Sequence, residues 1–67
     1  MKVLELFNMI SNYEIIDTMQ KYGGSFARAM SEAFRRADIE NFRRLKEAFP
    51  ELWNQYTQLA IAKKTKI

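Results

Sequence analysis

The sequence contains no cysteine and no histidine. Without cysteine no disulfide can brace the fold. Without a Cys/His set the usual structural zinc sites cannot form. The same two absences remove the commonest general base and the strongest side-chain nucleophile, so the composition points away from an enzyme. Charged residues interrupt every apolar stretch well short of the ~20 residues that span a bilayer, so no membrane contact is expected. Near the start, Glu5 falls inside what would be the apolar part of an export signal, and no small-residue cleavage site follows. The expected setting is therefore cytoplasmic, with no metal and no cofactor.

What is present suits one small domain. The chain has 67 residues, 48% of them hydrophobic, which argues against disorder. At this size folding buries only about 60% of the unfolded surface, so stability rests on a thin core or on burial shared with a partner. The net charge of +3 comes entirely from Lys63, Lys64 and Lys66, because residues 1–62 carry equal numbers of acids and bases. A basic stretch over residues 28–46 sits within that neutral body. The high overall basicity is therefore not by itself a nucleic-acid signature.

Glycine occurs twice and proline once, and both act as punctuation: Gly23 and Gly24 form one break, Pro50 another. Elsewhere apolar residues recur at helical spacing, with no long strict alternation, so the expected fold is all-α. Ser11-Asn12-Tyr13-Glu14 fits a capping box, and Ile10 with Ile15 fits a hydrophobic staple. These predict a helix over residues 12–22, ended by Gly23 in a left-handed cap. A shorter helix over 2–10 precedes it. Ser25 is the expected N-cap of a helix over 25–37, whose stripe is Phe26, Ala29, Met30, Ala33, Phe34 and Ala37. Asp38 caps the next helix, over 39–48.

A seam of Phe42, Leu45, Phe49, Leu52, Tyr56 and Leu59 then alternates steps of three and four. Pro50 interrupts it. A proline costs ~3 kcal/mol inside a helix but nothing in its first turn, so a separate helix over 50–62 is expected. The alternative is one kinked helix. The expected architecture is a compact bundle of three to five short helices in a single domain over 1–62, with a basic, frayed tail over 63–67. Phe42, Leu45, Phe49 and Leu52 are expected to pack against Phe26, Met30 and Phe34.

The most pointed feature is the run from Arg35 to Arg44, in which two arginine pairs flank a tight turn. With Arg28 and Lys46 the residues Arg35, Arg36, Arg43 and Arg44 make a candidate basic patch for an acidic protein surface or for phosphates. Against this, Glu32 precedes Arg36 by four residues and Glu40 precedes Arg44 by four, the favourable order for pairing within a helix. A helix-turn-helix reading is weak, since the turn lacks its usual glycine and Asp38 and Glu40 would lie near phosphates. Trp53 and Tyr56 are interface-prone residue types, with Trp53 on the edge of the seam, but core membership outweighs that role in so small a chain. Glu14, Asp17, Glu47 and Glu51 read as solvated surface charge rather than a catalytic pair. The two glycines lack the companions of a phosphate-binding loop.

From Tyr22 to Tyr56 the chain resembles a group of small helical proteins encoded by phages and prophages, to which no activity is assigned. The resemblance rests on Tyr22-Gly23-Gly24-Ser25-Phe26, Ala33-Phe34-Arg35-Arg36-Ala37-Asp38, Asn41, Leu45-Lys46, Ala48-Phe49-Pro50-Glu51-Leu52-Trp53 and Tyr56. It implies a phage context and a host cytoplasm, not a mechanism. The leading expectation is a non-catalytic binding module, an accessory or inhibitor that occupies a surface on a host protein. The alternative is nucleic-acid binding through the arginines around residues 37–40. A homodimer through the seam is a third expectation.

Overall fold

The computed structural model describes residues 10–65, which form four α-helices and no strand: α1 Asn12–Tyr22, α2 Ser25–Arg36, α3 Ile39–Ala48 and α4 Pro50–Thr65. The expected helix over 2–10 lies outside the described residues, apart from Ile10. The fold is the all-α bundle expected, and its core differs from the expected one in ways that decide where the functional surfaces lie.

α1 begins as its sequence dictates. The Ser11 hydroxyl accepts a hydrogen bond from the Glu14 backbone N–H at 3.2 Å. Only this half of the capping box forms, because the Glu14 carboxylate turns to Lys64, whose Nζ lies 2.9 and 3.2 Å from its two oxygens. The helix ends at Gly23, but not in the expected left-handed conformation. Gly23 is extended, with φ −83° and ψ 161°, and its N–H donates to the Met19 carbonyl at 3.0 Å. Glycine is needed there for space. A Cβ at Gly23 would stand 2.5 Å from the Ala27 Cβ and 2.5 Å from the Met19 carbonyl oxygen.

Ser25 is not the cap of α2. Gly24 holds that position with extended backbone, no side chain caps the helix, and Ser25 is its first residue. The buried arc of α2 is also rotated from the expected stripe. Ala27, Met30, Ser31 and Phe34 are buried, whereas Phe26, Ala29 and Ala33 are exposed. The reason is the partner: α2 packs chiefly on α1, and the backbones of α2 and α3 stay apart. Ser31 disguised this arc. It is fully buried, and its Oγ lies 2.6 Å from both the Gln20 Oε1 position and the Arg28 carbonyl. A hydroxyl carries one proton, so both contacts are satisfied when Oγ donates to Arg28 and the Gln20 amide group donates to Oγ.

Asp38 caps α3 as expected, its Oδ1 accepting from the Asn41 N–H at 2.8 Å. α3 has no fully buried residue. So short a helix is marginal alone. It is held by its cap, by a ladder of ion pairs and by the half-buried Phe42 and Leu45. Phe49 then takes φ −130° and ψ 60°, the chain leaves helical geometry, and Pro50 opens α4. The proline thus breaks the seam into two helices instead of kinking one.

The core is built by α1, α2 and α4, which both flanking helices share with α1. Ile15, Ile16 and Met19 meet Ala27, Met30 and Phe34 on one side and Trp53, Tyr56 and Ala60 on the other. Trp53 is therefore a core residue, the weightier of its two expected roles. Its ring lies 4.9 Å from Phe34 and 5.3 Å from Phe42. Phe49, expected in the core, is 39% exposed and touches only the rim, where it meets the equally surface-lying Phe26 at 5.9 Å. The buried Thr18 and Thr57 hydroxyls donate to the carbonyls one turn back, at 2.7 and 2.8 Å, so no buried side-chain polar atom among the described residues lacks a partner. α4 continues beyond the expected end at residue 62 to Thr65. Lys63 stacks over the Tyr22 ring at 4.6 Å and Lys64 reaches Glu14, so these two lysines anchor the last turn where a frayed tail was expected.

Candidate functional site

The six basic residues of the candidate patch do not form one surface. Arg28 and Arg35 stand two turns apart on the side of α2 that faces α1, where Arg35 Nη2 donates to Asp17 at 2.8 Å. The hydrogen bond to Asp17 raises the Arg35 pKa above its ordinary value. Arg36 and Arg44 line a furrow between α2 and α3. Arg43 and Lys46 line a separate groove, shared by α3 and α4. Successive residues on a helix are turned by about 100°, so Arg43 and Arg44 line different depressions although both guanidiniums reach the same Glu40 oxygen.

Most of this charge is satisfied within the chain. Arg36 lies 3.6 Å from Glu32 and Arg44 lies 3.2 Å from Glu40, the two pairs read from the sequence. Arg43 bridges Glu40 at 3.2 Å and Glu47 at 2.8 Å. Arg28 has no ion pair among the described residues. Lys46 does something different: its ammonium sits 5.1 Å from the Trp53 ring centroid and 6.0 Å from that of Phe42, within cation–π range.

The groove beside Lys46 gathers the most chemistry. It has a volume of about 550 Å³. Phe42, Trp53 and Pro50 form its apolar floor, with Lys46 and the Arg43–Glu47 ion pair along it and Ile39 at its rim. Ile39 is 90% exposed, the most exposed large apolar side chain described. It follows directly from the local sequence: Asp38 must cap the helix, which fixes Ile39 as the first helical residue and turns it from the core. The groove unites three residues expected at an interface, Arg43, Lys46 and Trp53. Tyr56 is buried in the core, its hydroxyl reaching toward Gly23. Ile39 was missed, although it had a signal: it is an apolar residue outside the seam with no partner in the pattern.

No group of three or more acidic side chains placed to hold a metal ion forms among the described residues. None of the described helices is long and apolar enough to cross a membrane. Comparison of the chain with protein-family models, with curated proteins and with solved structures finds no match.

Proposed function

We propose that this chain is a small, non-catalytic binding module that docks on a protein through the groove between α3 and α4. The observation that carries this reading is Ile39, a large apolar side chain left in solvent beside an aromatic floor and the Lys46 ammonium. Exposed apolar surface rimmed by polar groups is the usual mark of a partner site. The chemistry that fits is an apolar side chain seated against Phe42 and Trp53, with a carboxylate near Lys46. A carboxylate there would share the ammonium with the Trp53 ring and displace little existing pairing. The pairing of Arg35, Arg36, Arg43 and Arg44 with carboxylates in the chain itself favours a protein partner over nucleic acid, since phosphate binding needs those cations free. The likeness of residues 22–56 to small phage proteins ranks a host protein as the partner and an accessory or inhibitory role as the outcome.

Capture from a bacterial lysate by the full chain and by Ile39→Asp tests this. Ile39 makes no core contact, so the variant keeps the parent's circular dichroism. Recovery of one stoichiometric protein by the parent, lost with Ile39→Asp, supports the groove. Recovery by both variants alike moves the site elsewhere. Recovery of nucleic acid, with a gel shift at low salt that Arg43→Ala abolishes, would replace the reading with the nucleic-acid one.

A further inference from the structure

We propose that a different face, formed by α2 and α3, binds a second copy of this chain about a two-fold axis. It arises because α2 turns its core arc toward α1 and leaves its other apolar arc uncovered. Phe26 is 58% exposed and Phe49 39% exposed, and the two rings pack on each other instead of on the core. From them an open furrow of about 490 Å³ runs between Ala33 and Ala37 of one side and Leu45 and Ala48 of the other. A second depression of about 440 Å³ continues it past Ala48 to Leu52 and Glu51. The two depressions meet at Ala48, with small side chains lining the first and Phe49 the second, and with Arg36, Asn41, Arg44, Glu51 and Gln55 among the apolar residues.

The charges of this face are arranged in the same polar way. Arg36 and Arg44 stand at the small-residue end, and Glu51 stands at the aromatic end. The internal partner of Arg36 is distant, at 3.6 Å, and the Arg36 side chain is 82% exposed. Glu51 makes no ion pair among the described residues. A two-fold axis through the middle of the furrow lays each end of one copy over the opposite end of the other. Phe26 and Phe49 then seat in the partner's alanine furrow, and Glu51 meets the partner's Arg36, the loosely paired cation, beside Arg44, which Glu40 holds at 3.2 Å. In such an isologous contact every favourable pairing occurs twice. An acidic ligand or a nucleic acid would meet the two arginines but would also face Glu51. A basic ligand would meet the reverse problem. A copy of the same chain satisfies both ends.

The face is smaller than the ~20–30 residues a side of a standard stable interface, so the dimer is expected to be weak and concentration-dependent. Sedimentation of the full chain from about 1 μM to about 1 mM reads it directly. The average mass is expected to rise from 8.0 kDa toward twice that value. Phe26→Lys, which leaves the core intact, should hold the chain as a monomer with unchanged circular dichroism. Glu51→Arg alone, and Arg36→Glu with Arg44→Glu alone, should each be monomeric through like-charge opposition. Mixed together, these two proteins should form the heterodimer and restore the parent's mass at the same concentration. A parent that stays monomeric throughout the range overturns the proposal, whatever else the face binds. So does association that the charge variants leave unchanged, or a mixture that fails to recover. Because the groove holding Ile39 is separate from this face, Ile39→Asp should dimerise like the parent, which separates this proposal from the docking reading.

Discussion

Phe34 on α2 and Trp53 on α4 meet at the centre of the core, their ring centroids 4.9 Å apart and their planes tilted by 47°. Each ring is almost fully buried, and Phe42 closes over both from α3. Together they tie the weakly attached third helix to the rest of the bundle.

Phe34→Ala should therefore come close to unfolding the domain. Truncating a core phenylalanine costs ~3–5 kcal/mol, and so small a chain is expected near the low end of ~5–15 kcal/mol of total stability. Phe49→Ala should behave otherwise. Its side chain sits on the rim, so the loss should be about 1–2 kcal/mol, a fraction of full burial. Thermal melts followed by circular dichroism distinguish them: a melt of Phe49→Ala as damaged as that of Phe34→Ala would place Phe49 back in the core.

Capping gives a second contrast. Asp38→Ala removes the acceptor for the Asn41 N–H and should cost ~1 kcal/mol, within the usual range of ~0.5–2 for a lost cap. Ser25→Ala should be near neutral, since Gly24 is the N-cap and the Ser25 side chain caps nothing. Urea denaturation of both variants decides the point, and equal losses would make Ser25 the cap after all.

These contrasts show what periodicity conveys and what it hides. Helix existence and the breaks at Gly23, Asp38 and Pro50 were legible, because caps and breakers act through the backbone within a few residues. Which side of α2 is buried was not. Phe26, Ala29 and Ala33 repeat as regularly as Ala27, Met30 and Phe34, and one polar residue, Ser31, masks the true arc. Its burial depends on Gln20, eleven residues away, which no local pattern reports. The candidate basic patch failed for a related reason. Adjacent arginines point about 100° apart around a helix and are held by carboxylates of the chain, Arg43 and Arg44 by the same Glu40, and the Asp17 that holds Arg35 lies on another element. Ile39 stood out only once the partners of the seam were known.

The two glycines should respond differently to alanine. At Gly23 a Cβ would press on a backbone carbonyl and on Ala27, neither of which can move without shifting a helix. Such overpacking costs ~1–3 kcal/mol. At Gly24 nothing lies within 4 Å of a Cβ, and φ of −77° suits any residue. Gly24→Ala should therefore be near neutral, because the ~0.4–1 kcal/mol gained by restricting the unfolded chain is offset by alanine's weaker N-capping. Had Gly23 been a left-handed cap, strain and not contact would set its cost. Truncating its neighbour with Ala27→Gly in the Gly23→Ala background should then recover nothing. The contact account predicts partial recovery in that double variant, measured against Ala27→Gly alone.

Lys64 and Glu14 join the last turn of α4 to the first turn of α1, fifty residues apart in sequence. Both side chains remain more than a third exposed, at 38% and 43%, so solvent weakens the attraction. Their coupling should be ~0.2–1 kcal/mol, the range of exposed pairs. A double-mutant cycle with Lys64→Gln and Glu14→Gln isolates it, and it removes whatever else either side chain contributes. Glutamine keeps the length and helix propensity of both positions, so the cycle reads charge. The coupling should fade in salt of about 1 M, where the screening length falls to about 3 Å. Amide exchange supplies an independent reading: residues 60–64 should exchange faster in Lys64→Gln while the α2 amides near Phe34 stay protected. A coupling of zero at low salt, with exchange unchanged, would mean that the stacking of Lys63 on Tyr22 and the burial of Ala60 hold this end without the ion pair.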